Sequence, residues 1–167
     1  MSADMMKVTV IPMINAKPCY FVPRLQVFNE TFSVVMPEKN RSSRKKLQHE
    51  ASVCIVWNEG VAGRGTEEVS NSYWQFLLET RDKKYVTIFA DNCTGQNKSW
   101  TLLTTLMKAV NSDQLALQTL TEIFEPGHTI MSADAVHRQV NRQLEKKSVF
   151  DFEDYVRAVE GANVRCV

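Results

Sequence analysis

The chain has 167 residues, 44% of them hydrophobic, which is enough for one ordinary core and argues for a single domain over 1–167. Twenty basic against nineteen acidic side chains leave a formal charge of +1, which excludes a globally basic nucleic-acid binder and confines any basic surface to local runs such as Arg41 to Lys46 ("RSSRKK"), read as a solvated loop. No apolar run reaches the ~20 residues of a membrane span and no basic region leads into an apolar signal core, so no membrane partner is expected.

Taken in chain order, "KVTVIPMI" (7 to 14), "RLQVFNETFSVV" (24 to 35) and "ASVCIVW" (51 to 57) have the β-branched, alternating character of strands. A glycine-rich turn, "NEGVAGRG", precedes a helix over 66 to 79, where Thr66 can cap, Glu67 and Glu68 suit the positive N-terminus, and Val69, Tyr73, Phe76 and Leu77 share one face. "KYVTIFA" (84 to 90) is a fourth strand, 96 to 111 a second helix and "LQTLTEIF" (117 to 124) a fifth strand. A third helix is expected from Ser132 to Lys146 with a stripe of Ala133, Val136, Val140 and Leu144, and "FDFEDYVRAVEG" adds a short terminal helix. Trp57, Trp74 and Trp100 lie in or beside apolar elements and are expected to pack in the core rather than to stack on bases.

Three strands before the first helix, then alternation, is not the order of a doubly wound nucleotide-binding fold, which alternates from its first strand. The order β-β-β-α-β-α-β-α predicts an α/β protein with a mixed, ribonuclease H-like sheet. That fold analogy needs a site to support it. Phosphodiester chemistry on such a sheet requires two or three carboxylates converging on divalent ions. "FADNCTGQNKSW" delivers Asp91 to the end of the fourth strand, and "MSADAVHRQV" supplies Asp134 at the start of the third helix. A plainer role is open for each: an Asx turn for Asp91 and Asn92, a first-turn acid complementing the helix dipole for Asp134.

Other chemistries find no motif. "GVAGRG" lacks the Lys-Ser/Thr of a phosphate loop and the spacing of a dinucleotide turn, "HEASV" has no second histidine, and no GxSxG elbow is present. The four cysteines, Cys19, Cys54, Cys93 and Cys166, form no CxxC pair and no zinc-type spacing, so a reducing compartment, nuclear or cytoplasmic, is expected.

The segments "ADMMKVTVIPMI", "RLQVFNETFSVV", "WNEGVAGRGTEEV", "ADNCTGQNKSWTLLTTLMKAVN" and "FEPGHTIMSADAVHRQV", in this order and over nearly the whole chain, resemble a domain of unknown function found in animal mobile elements and in host genes derived from them. The pair "DNxxxQNK" and "PGHT...SAD..H" is the more specific part. The resemblance implies a transposase-like member of the ribonuclease H superfamily, with metal-dependent cleavage and transfer of DNA strands. It implies a triad of Asp4, Asp91 and Asp134 binding Mg²⁺ or Mn²⁺, with DNA as partner. His128 and His137 are implied as neighbours of the site, and Asn92, Gln96 and Asn97 are polar groups suited to supporting the acids or contacting phosphate. Only Met1, Ser2 and Ala3 precede Asp4, and "VEGANVRCV" ends the chain soon after its last helix. A strand truncated around Asp4, and a domain clipped at both ends, are therefore expected. The alternative implied by that truncation is a non-catalytic interaction or nucleic-acid-binding module that has lost its metal site.

Overall fold

The structure is a computed structural model that describes residues 1–14, 21–35, 52–91, 97–125, 132–162 and 164–167. The basic run at 41 to 50, and Asn92, Gln96 and His128, lie outside the described residues.

From Val27 onward every residue of β3 (Leu25–Ser33) is buried whichever face it points to, which requires a layer over each face of the sheet and paired strands along both edges. One edge of β3 pairs antiparallel with β1 (Ser2–Met5) and, further along, with β2 (Thr9–Ile11). Its other edge pairs antiparallel with β4 (Val53–Asn58). Helix α1 (Thr66–Glu79) then crosses to β5 (Tyr85–Asp91), which lies parallel to β1. Helix α2 (Trp100–Val110) crosses to β6 (Thr119–Glu125), parallel to β5. Helices α3 (Ser132–Leu144) and α4 (Phe152–Glu160) follow, and β7 (Arg165–Cys166) returns parallel to β4. The result is an α/β architecture around a seven-stranded mixed sheet in the order β6-β5-β1-β3-β4-β7, with β2 beside β3.

Each face of the sheet carries its own core. On one, Ala3, Phe32, Val53 and Ile88 meet Val69, Tyr73, Phe76 and Leu77 of α1 and Leu102, Leu106 and Ala109 of α2. Phe32 stacks on Phe76 with ring centroids 4.2 Å apart and meets Tyr73 edge-on at 5.0 Å. On the other face, Met6, Val27 and Cys54 pack under Val136, Val140 and Leu144 of α3 and Tyr155, Ala158 and Val159 of α4. The stripes expected for the first and third helices are therefore the buried faces of α1 and α3.

Three expectations require correction. The strand foreseen at 7 to 14 is only three residues, Thr9–Ile11, because Pro12 has no N–H to extend the ladder, and Met13 keeps just a bridge to Val149. The strand expected to be largely missing around Asp4 is present: Ser2–Met5 sits between β3 and β5, with Met1 O accepting from Phe89 N–H at 2.8 Å. The chain order is accordingly β-β-β-β-α-β-α-β-α-α-β. Trp57 and Trp74 do pack against the core, but Trp100 is 81% exposed. Burial of Leu102, Leu106 and Ala109 fixes the rotation of α2, and at 100° per residue that turns Trp100, Leu103 and Met107 outward together.

Candidate metal centre

Because side chains alternate along a strand, the burial of Ala3 against α1 and α2 turns Asp4 to the face covered by α3. Helix α3 is held there by Ala133, Val136 and Val140, all fully buried, and this rotation presents Asp134 and His137, three residues apart, toward the sheet. Asp4, Asp134 and His137 each offer a donor atom, and the three atoms lie within 4.8 Å of one another. The Nδ1 of His137 is 3.7 Å from Oδ2 of Asp4, beyond hydrogen-bond reach.

Burial pushes the His137 imidazole down to about 4, against the opposing pull of Asp134 and of a hydrogen bond with the Asp4 backbone. The ring is therefore neutral at pH 7, the state in which a histidine ligates metal. Its Nε2 is buried and has no hydrogen-bond partner among the described residues. A neutral imidazole with a donor nitrogen among the oxygens of two carboxylates suits a divalent cation. Mg²⁺ prefers oxygen donors alone, so the nitrogen tilts the set toward Mn²⁺.

Asp91 ends β5, and because Ala3 is in register with Ala90, it follows in line with Asp4 on the same face of the sheet. Asp91 does not join the donor atoms gathered within 4.8 Å. Its Oδ1 accepts from the Asn97 amide at 2.5 Å, and the same amide reaches the Asp91 carbonyl at 3.2 Å, which closes the approach to α2. The buried Asn97 thus positions Asp91. Of the residues proposed from sequence, Asp4, Asp134 and His137 come together, Asp91 stands beside them, and Asn92, Gln96 and His128 are outside the described residues.

One acid escaped the sequence reading. Glu30 lies within β3, paired with Met5 and Ile55, and is 3% exposed. Burial first, then Asp4, and more weakly Asp91, push its carboxyl up to about 8, while Arg64 opposes them. The signal in the sequence was a lone carboxylate inside "LQVFNETFS". Alternation alone reads such a residue as solvent-facing, which fails in a sheet covered on both sides.

No protein-family model, curated protein or solved structure matches the chain. Among the described residues, no helix is long and apolar enough to cross a membrane.

Proposed function

We propose that the chain is a ribonuclease H-like domain of transposase type that cleaves and joins DNA strands with divalent metal ions. The observation that carries this reading is the convergence of Asp4, Asp134 and His137, from opposite ends of the sequence, on one face of a central strand. Further support comes from the sheet: β1 is central, antiparallel to β3 and parallel to β5, and the two acids nearest in register, Asp4 and Asp91, lie on those neighbouring strands.

In this reading Asp4 and Asp134 hold the ion and compensate its charge. His137, neutral and anchored by α3, completes the donor set without adding a competing positive charge. Asp91, fixed by Asn97, adds negative potential along the same edge, where a second ion would need it. When bound, Mg²⁺ or Mn²⁺ supplies the Lewis acidity that phosphodiester cleavage requires. The test is nicking of supercoiled DNA with Mn²⁺, Mg²⁺ or chelator. Wild type should nick with metal only, with Mn²⁺ the better ion, and Asp4→Asn or Asp134→Asn should each lower the rate at least about a hundredfold, the scale of removing one electrostatic contact to a transition state. Nicking that survives both substitutions would refute the assignment.

The engagement of Asp91 by Asn97 favours a second reading, a nucleic-acid-binding or interaction module without catalysis, since that carboxylate already accepts from a protein amide. DNA binding that is equal in metal and chelator, with no nicking under any condition, would select it.

A further inference from the structure

Strand β6 ends the sheet. It pairs with β5 in an unbroken parallel register, from Thr119 against Tyr85 to Glu125 against Asp91, and no described strand lies along its other edge. An outer strand presents a row of backbone N–H and C=O groups to any chain that can pair with them, and monomers ordinarily blunt it with lysine, proline, a bulge or a very short strand. None of these devices is present in β6, seven residues of regular pairing with the sequence "TLTEIFE". Leu120 faces the core under α1 and α2, and the alternating Thr119, Thr121 and Ile123 are exposed.

Helix α2 leaves an apolar flank beside that edge. At about 100° per residue, Trp100, Leu103 and Met107 lie roughly a third of a turn from the buried line of Leu102, Leu106 and Ala109, and Lys108 lies about as far the other way. Lys108 sits over the Trp74 ring of α1, its Nζ 5.2 Å from the centroid, so α1 occupies that side of α2. The apolar flank therefore faces away from α1, and a hollow lined by Trp100, Leu103 and Glu122 joins it to β6. Its three side chains are exposed by 81% at Trp100, 59% at Met107 and 45% at Leu103.

An unpaired edge and an uncovered apolar flank thus adjoin on one side of the molecule. A peptide strand would satisfy only the edge, and a separate helix only the flank. A second copy supplies both. A two-fold axis normal to the sheet sets β6 antiparallel to its counterpart, and a crossover helix lies over the two strands it joins, so each α2 stands one strand spacing, about 4.8 Å, from that axis. The two helices then run about 10 Å apart, the contact distance of packed helices. The indole alone can bury on the order of 200 Å², a sizeable part of the roughly 800 Å² per partner of a standard interface. Burial holds the Glu122 carboxyl up to about 7, so it repels its counterpart less than an ordinary carboxylate would.

We propose that the chain forms a two-fold dimer in which β6 of one copy pairs antiparallel with β6 of the second, joining the two sheets, while Trp100, Leu103 and Met107 of both α2 helices close over the seam. The association is independent of the metal centre, since Asp4 and Asp134 lie on the opposite face of the sheet.

The experiment is sedimentation of the full chain over a concentration series reaching the high micromolar range, in chelator. Wild type should move from the 19.1 kDa of one chain to twice that mass. Trp100→Glu charges the flank and Thr121→Lys places a lysine on the exposed edge. Each alone should raise the dissociation constant at least about thirtyfold, the scale of losing an interface hot spot. Trp100→Phe should keep most of the affinity, and Lys146→Glu, an exposed charge change beyond α3, should leave it unchanged. The exposure of Trp100 and Thr121 preserves folding, which matched circular dichroism spectra verify. Amide exchange in β6 should slow as wild type associates. A wild type that stays a monomer throughout would overturn the inference, as would a dimer indifferent to Trp100→Glu. A dimer lost in Trp100→Glu but intact in Thr121→Lys, with β6 exchange unchanged, would overturn the strand pairing.

Discussion

Glu30 shows how a single side chain can couple this sheet to pH. Its carboxyl is buried in β3 and pushed from an ordinary value of 4.5 up to about 8, with burial as the larger cause and Asp4 the next. In the unfolded chain the group ionises near its ordinary value, whereas in the fold it stays protonated across neutral pH. Between those two values the folded state binds the extra proton, so the contribution of Glu30 to stability is complete below about 4.5 and is lost as pH rises toward about 8. Denaturant unfolding at intervals from pH 5 to 9 should therefore show falling stability in the wild type. Glu30→Gln, which keeps shape and cannot ionise, should flatten most of that slope. An unchanged slope would mean that the carboxyl is ionised in the fold and compensated, most directly by Arg64.

At the scale of elements, the contact between β3 and α1 carries the first core. Phe32 has no exposed surface and lies between the rings of Phe76 and Tyr73, so truncating it removes a stacked pair, an edge-on pair and the volume between strand and helix. Phe32→Ala should cost about 3–5 kcal/mol, the usual range for an aromatic-to-alanine cavity. In urea the midpoint should fall with the slope unchanged, because the surface exposed on unfolding is nearly the same. A cap is a smaller matter. Ser99→Ala removes the acceptor for Leu102 N–H and should cost about 1 kcal/mol.

For the whole molecule, the proposed metal centre ties the two ends of the chain together, since Asp4 lies on the first strand and Asp134 and His137 on the third helix. An ion that binds only the assembled site stabilises the entire fold, by about 2.7 kcal/mol at a hundred times its dissociation constant. In a domain of this size that corresponds to a rise of roughly 5–10 °C in melting temperature, readable by calorimetry with Mn²⁺ against chelator. Asp134→Asn should abolish the rise. Asp91→Asn should reduce it only modestly, because Asp91 stands beside the donor group rather than within it and its bonding to Asn97 is local. Equal responses of wild type and Asp134→Asn to Mn²⁺ would place the bound ion elsewhere.

Periodicity within the sequence was sufficient for the long amphipathic elements. Helix α1 occupies the expected 66 to 79, and the apolar stripes of α1 and α3 are buried, because a stripe repeated over several turns has only one way to leave water. The acid at the end of β5 and the acid in the first turn of α3 were legible for a related reason: each adjoins a well-marked strand or helix. Short elements were not. The four residues of β1 and the two of β7 carry no period, and they are strands because neighbours complete their hydrogen bonds. Nor does local sequence say which polar residues the fold will bury. Alternation by itself would turn Glu30 toward solvent, yet helices cover both faces of the sheet. Trp100 read as core, yet the rotation chosen by Leu102, Leu106 and Ala109 leaves it outside. The meeting of Asp4 with Asp134 and His137 belongs to the same class. It depends on strand order and on the seating of α3, relations between distant segments that only the packed sheet decides.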